Sequence, residues 1–151
     1  MVMEKDIQIE RATLNDINVI HDLIYGYAKE GFMLIRTKGD IAYRIRDYAV
    51  CKADGMVTGC VGLKVWDKNS AEIYALAVRK DYTNQGFGKA LVKRCINDAE
   101  SLGVKSVFAL TFRKDLFMKL GFKKSTFKEL PKIMFTEKTV NIDKAYSLKI
   151  K

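Results

Sequence analysis

Two glycines one residue apart, Gly86 and Gly88, stand where an apolar run gives way to an amphipathic one, within Asn84-Gln85-Gly86-Phe87-Gly88-Lys89-Ala90. The chemistry that such spacing serves is anion binding. A helix amino terminus presents N–H groups without intrahelical acceptors, together with the positive end of the helix dipole. Glycine there lets backbone amides approach a phosphate that a Cβ would hold away. Lys89 adds a point charge, so the turn is predicted to hold a pyrophosphate. Taken alone, a glycine pair also fits a plain tight turn. It is not the GxGxxG dinucleotide fingerprint, because Leu91 takes the place of its last glycine, and no GK[ST] P-loop is present.

The elements that must position this turn can be read from pattern. Ahead of it, Ala71 to Val78 is mostly apolar, as expected of a strand covered on both faces. Behind it, Leu91, Val92, Cys95, Ile96, Ala99 and Leu102 mark a helix of about four turns, with Gly103 as its C-cap. Upstream, Ile7 and Ile9 alternate with polar residues as a first strand does. Thr13-Leu14-Asn15-Asp16 reads as a capping box for a helix carrying Ile17, Ile20, Ile24 and Tyr27, which ends near Gly31. A second helix is expected from about Asp40, with Ile41, Ile45 and Tyr48 on one face. Strands from Tyr48 to Lys52 and from Met56 to Val65 flank Asp54-Gly55, a hairpin signal. Downstream come a buried strand at Val107–Leu110, a short helix from about Lys114 to Leu120, and strand-like pieces around Phe122, Ile133-Met134-Phe135 and Ser147–Ile150. Hairpins early and a β-α-β unit late predict an α/β (α+β) fold with a mixed, mostly antiparallel central sheet and helices on both faces.

Composition bounds the rest. A chain of 151 residues with one Pro and no linker or repeat is expected to form a single domain over 1–151. Lys and Arg total 27 against 18 Asp and Glu, giving +9, a balance suited to polyanionic ligands or carboxylate substrates. The basic residues are dispersed and lack the interleaved aromatics of a single-strand platform, so neither a nucleic acid nor a membrane is expected as partner. Cys51, Cys60 and Cys95 have apolar neighbours and no CxxC spacing, which predicts buried reduced thiols and no metal site. Without a signal-peptide h-region or a run of roughly 20 apolar residues, a cytoplasmic protein is the simplest reading.

The stretch from Glu72 to Phe122 resembles the acetyl-CoA-binding core of the GNAT acetyltransferase superfamily. Leu76-Ala77-Val78, Asp81-Tyr82, Gly86-Phe87-Gly88 and Leu120-Gly121-Phe122 match its "LAV-x-P-x-Y-(R/Q)-x-x-G-x-G" and later "LGF". Lys80 replaces the frequent Pro, and Thr83 stands in the usual Arg/Gln place, with Gln85 nearby. The resemblance implies acetyl-CoA as cosubstrate. The backbone of Leu76, Ala77 and Val78 would pair with the pantetheine arm, and the amides of Asn84, Gln85, Gly86, Phe87, Gly88 and Lys89 would hold the pyrophosphate. The family's usual Tyr general acid is replaced by Phe117, which would pack against the cofactor arm.

A closer similarity is to bacterial N-acetylglutamate synthases of the short form. It rests on Gly31-Phe32-Met33-Leu34-Ile35-Arg36-Thr37, Ile45-Arg46-Asp47-Tyr48, Ala71-Glu72, Phe108-Ala109-Leu110-Thr111, Leu120-Gly121-Phe122 and Leu130-Pro131. This implies transfer of acetyl to the α-amine of L-glutamate, in arginine biosynthesis. Acetyl transfer needs a neutral amine, so a base must take a proton from the ammonium. Glu72 is the candidate; the alternative is a surface carboxylate near a strand start. Thr111 is the candidate donor to the leaving thiolate, or else a Thr that merely suits a strand. Arg36 has the planar fork that grips a carboxylate, and the apolar run before it suggests an anchored loop; a surface Arg is the alternative. Arg113 is a second clamp. His21, on the first helix, is expected to face solvent or cap. Another small amine, a protein amino terminus, or a catalytically silent acetyl-CoA-binding regulator remain alternatives. Oligomeric state, including a homodimer, and feedback by arginine stay open.

Overall fold

The computed structural model describes residues 7–150. Among them seven strands pair in the order β1-β2-β3-β4-β5-β7-β6. They are β1 Gln8–Arg11, β2 Tyr48–Ala53, β3 Met56–Val65, β4 Ser70–Val78, β5 Ser106–Leu110, β6 Lys123–Lys124 and β7 Ala145–Lys149. The helices are α1 Ile17–Ala28, α2 Lys38–Tyr43, α3 Phe87–Leu102, α4 Lys114–Lys119 and α5 Met134–Glu137. Pairings β1–β2, β2–β3, β5–β7 and β6–β7 are antiparallel, and β4–β5 is parallel. This is the mixed, mostly antiparallel α/β fold expected from the pattern. Backbone proximity groups the residues into two compact units. One runs to Gly62 and adds Ala75–Arg94; the other comprises Leu63–Tyr74 and the chain from Cys95 onward.

In the first unit, Thr13 and Asp16 form the expected capping box, with Thr13 N–H donating to the Asp16 carboxylate at 2.8 Å. A short 3-10 turn intervenes before α1 begins at Ile17. Ile20 and Ile24, one turn apart, are buried, as are Ile41, Val50 and Val61. Each such side chain contributes about 1.5–3 kcal/mol of burial. The β2–β3 hairpin turns at Asp54 (φ 53°) and Gly55 (φ 75°), the two consecutive left-handed residues of a type I′ turn. Where β3 meets α3 and β4, Gly59 leaves no room for a side chain. A Cβ there would lie 3.0 Å from the Ala77 carbonyl oxygen, 3.0 Å from Cys51 Sγ and 3.1 Å from Leu91 Cδ1. Cys51, Cys60 and Cys95 are buried thiols outside any disulfide, as expected.

In the second unit, Ser70–Glu72 of β4 lies against Ser106–Phe108 of β5 in parallel register. A core of Phe108, Leu130, Met134 and Ala145 is packed by Trp66, Leu110, Val140 and Ile142.

Two local expectations fail. The helix expected from Asp40 through Tyr48 stops at Tyr43; a 3-10 turn, Ile45–Asp47, follows, and Tyr48 opens β2. Tyr48 is buried and pairs with Gly62 across the hairpin, so sheet pairing overrides the helical spacing. Ile133-Met134-Phe135 is not a strand but the start of α5. The Pro131 carbonyl accepts from Met134 N–H at 3.1 Å and closes a turn that only Met134 enters buried, while Ile133 and Phe135 stay exposed. Three consecutive apolar residues carry no period, and length alone cannot separate strand from helix there.

Candidate active site

The glycine turn is built in the first unit. Leu76–Val78 ends β4, a 3-10 turn follows at Lys80–Tyr82, and the chain enters the left-handed region at Asn84 (φ 61°) and Gly86 (φ 91°). Asn tolerates that region better than most residues, and Gly carries no steric penalty there. The first bond of α3 runs from Ala90 N–H to the Gly86 carbonyl at 3.0 Å. The N–H groups of Phe87, Gly88 and Lys89 therefore precede the intrahelical ladder, at the positive end of a 16-residue helix. That donor set fits a pyrophosphate.

The side chains of the turn brace it from behind. Phe87 is buried and meets Tyr82 edge-on at 5.6 Å, so only its backbone is available to a ligand. Gln85 Nε2 donates to the Asp81 carbonyl at 3.3 Å, and Thr83 Oγ1 donates to the Lys80 carbonyl at 3.0 Å. The Tyr82 hydroxyl donates to Asp54 at 2.8 Å, joining the turn to the β2–β3 hairpin; this bond raises the phenol pKa. On β4, Ala75 lies in the left-handed region (φ 54°), which breaks the alternation of the strand just before Leu76. The Tyr27 hydroxyl donates to the Val78 carbonyl, a contact no local sequence pattern announces. Tyr27, Val78, Arg79 and Lys80 border a cavity of about 290 Å³.

Arg36, also in this unit, sits ahead of α2, whose N-cap Thr37 accepts from Asp40 N–H. Its guanidinium lies 3.5 Å from Asp40, which Arg44 also contacts at 3.2 Å. The apolar run before it does not anchor the loop as expected: Phe32, Leu34 and Ile35 are exposed, at 51, 68 and 66 %. The ion pair within the helix turn fixes Arg36 instead. His21 is half-buried on α1, stacked on Tyr25 with its Nδ1 3.7 Å from Asp22.

The second unit holds the other predicted residues. Glu72 is no surface carboxylate: it is 5 % exposed on β4, opposite Phe108. Trp66 Nε1 donates to Glu72 Oε1 at 2.9 Å, and Lys138 Nζ lies 3.2 Å from Oε1 and 3.3 Å from Oε2. Sequence reasoning missed both partners. Trp66 was within reach by counting across the β3–β4 turn, where Trp66 N–H donates to the Ser70 carbonyl. Lys138 was not, being 66 residues away. Thr111 follows β5; its Oγ1 accepts from Arg113 N–H at 2.7 Å, which leaves the hydroxyl proton available to donate. The Arg113 side chain is exposed at the start of α4. Phe117 is buried edge-on against Phe122 at 5.1 Å. A cavity of about 750 Å³ in this unit, bordered by Lys105, Lys123, Ser147 and Lys149, contains none of the predicted residues.

The chain is similar to known proteins in sequence and in fold. A model of the Acetyltransferase (GNAT) family matches residues 18–122. The chain is 35 % identical over 133 residues to an uncharacterised N-acetyltransferase of Chlorobaculum tepidum, covering 88 % of this chain and 83 % of that protein. It is 31 % identical over 133 residues to the amino-acid acetyltransferase of Yersinia enterocolitica, covering 87 % of this chain but only 30 % of that protein. In structure it is similar to N-acetylglutamate synthase of Neisseria gonorrhoeae, solved with coenzyme A and N-acetyl-glutamate. The TM-score is 0.89 at 24 % identity, over 99 % of this chain and 36 % of that one.

Proposed function

The chain belongs to the GNAT acetyltransferase family and so uses acetyl-CoA as cosubstrate, and on that footing we propose that it acetylates the α-amine of L-glutamate by direct transfer. The observation that carries the reading is Glu72. A carboxylate this buried, held by an indole N–H and an ammonium, is costly to keep unless it serves the chemistry. Similarity to an amino-acid acetyltransferase and the resemblance of the motifs in this sequence to those of N-acetylglutamate synthases support glutamate as the acceptor.

Acetyl-CoA supplies an activated thioester, whose carbonyl carbon bonds to the amine nitrogen as the carbon–sulfur bond breaks. The residues of this chain do the rest. Backbone amides of Asn84–Lys89 hold the pyrophosphate, and the backbone of Leu76–Val78 aligns the arm. Glu72 takes the proton of the acceptor ammonium, directly or through water, and so makes the nitrogen a nucleophile. Thr111 offers its hydroxyl proton toward the departing sulfur, which as a thiolate also accepts one readily from water. Arg36 receives a substrate carboxylate with its planar fork, and Arg113 is a second cation for it. No cysteine carries the acetyl group in this scheme: all three are buried, and burial raises the pKa of Cys51 and Cys60, which disfavours the thiolate nucleophile.

The test is release of coenzyme A over a panel of amino acids and simple amines. L-Glutamate is expected to give the highest kcat/KM, and Arg36→Ala to lower it at least about 10-fold, mainly through KM. Full activity of Arg36→Ala on glutamate, or faster turnover of a protein amino terminus or a polyamine, sinks the acceptor assignment. Binding without turnover on any amine turns the reading toward a silent acetyl-CoA sensor.

A further inference from the structure

The two partners of Glu72 do more than neutralise it. Trp66 Nε1 and Lys138 Nζ both engage Oε1, whereas among the described residues Lys138 alone, at 3.3 Å, engages Oε2. The pair is also lopsided in exposure: the side chain of Lys138 is 30 % accessible and that of Glu72 only 7 %. The ammonium is thus the outward member. It has three donor directions, and the two carboxylate oxygens use at most two of them. The same indole ring has the Lys64 ammonium 3.7 Å from its centroid and that of Lys138 at 5.6 Å. Two ammonium groups and one buried carboxylate therefore meet around Trp66.

An α-amino acid brings an ammonium and a carboxylate on atoms attached to one carbon. Glu72 and Lys138 present the opposite charges side by side. A zwitterion set against them would place its ammonium on Glu72 and its carboxylate on Lys138, so that all four charges alternate. A simple amine would satisfy only half of this arrangement. We propose that Lys138 holds the α-carboxylate of the acceptor and thereby selects α-amino acids over other amines. The inference rests on the reading of Glu72 as proton acceptor and names the group that brings the amine to it. If Lys138 served only to balance Glu72, its loss would affect every acceptor alike.

The experiment compares L-glutamate with its α-amide, which keeps the amine and side chain and lacks the α-carboxylate. In the wild-type protein glutamate is expected to be favoured at least about 10-fold in kcat/KM, because a site built for a charged group rejects the analogue without it. Lys138→Met also strips Glu72 of its ammonium partner and so is expected to slow both acceptors. The preference is nonetheless expected to go, with kcat/KM for glutamate falling at least about 10-fold further than that for the α-amide, through KM. Lys138→Arg should restore most of it. Equal losses on both acceptors, or no change on either, overturn the inference. Removing one member of a buried ion pair risks unfolding, so a melting curve accompanies each variant. If Lys138→Met does not fold, the wild-type ratio decides, and a ratio near one overturns the inference. Turnover confined to amines without an α-carboxylate overturns it while leaving the acetyltransferase activity standing. Unchanged turnover in Glu72→Gln removes the proton acceptor, yet the glutamate-to-amide ratio still tests Lys138.

Discussion

At the scale of single residues, the proton transfer proposed for Glu72 can be tested apart from cofactor binding. Glu72→Gln keeps size and an acceptor for Trp66 but cannot take a proton. It is expected to lower kcat by about 10²- to 10⁴-fold while acetyl-CoA affinity, measured by calorimetry, changes little. Turnover within about twofold of the wild type would show that another group is the base. How far this site was legible depends on sequence distance. Gly86, Gly88 and Lys89 announce themselves because a helix start and its amides without intrahelical acceptors are encoded within one turn of chain. Glu72 could be picked out only with the help of resemblance. Its ammonium partner Lys138 is 66 residues away and carries no local signature. Arg36 shows the converse error: neighbouring apolar residues promised an anchored loop, yet three of them are exposed and an Asp40 one helical turn ahead holds the guanidinium.

At the scale of elements, what was readable had its reason within a few residues. The Thr13–Asp16 box, the Asp54-Gly55 turn and the α3 periodicity are all local, and all appear where the pattern put them. The run 40–48 and Ile133–Phe135 were decided by packing partners far along the chain, which is why spacing misled there. Gly59 is another case of tertiary control. Its position in β3 looks unremarkable, yet the Ala77 carbonyl, Cys51 Sγ and Leu91 Cδ1 stand where a side chain would go. Gly59→Ala is therefore expected to cost about 1–3 kcal/mol. A lower urea midpoint at an unchanged slope would bear that out; an unchanged midpoint would mean that β3 and α3 separate without cost.

At the scale of the whole molecule, stability should depend on alkaline pH through its thiols. Burial, and for Cys60 also the neighbouring Cys51, raises both thiol pKa values above the ordinary 9.0. In the unfolded chain these groups lose their protons near that value, while the folded protein keeps them. Above pH 9.0 the folded state binds more protons, so their contribution to stability is complete below that pH and declines as pH rises. The slope approaches about 1.4 kcal/mol per pH unit for each thiol. Urea midpoints for wild type and Cys60→Ala should differ by a constant amount below pH 9 and draw together as pH rises above it; curves that stay parallel above pH 9 would refute the assignment. The burial of all three cysteines has a practical side as well. A chromogenic disulfide reagent added to the native enzyme finds all three cysteine thiols buried, so the colour it develops counts product alone and the blank stays flat.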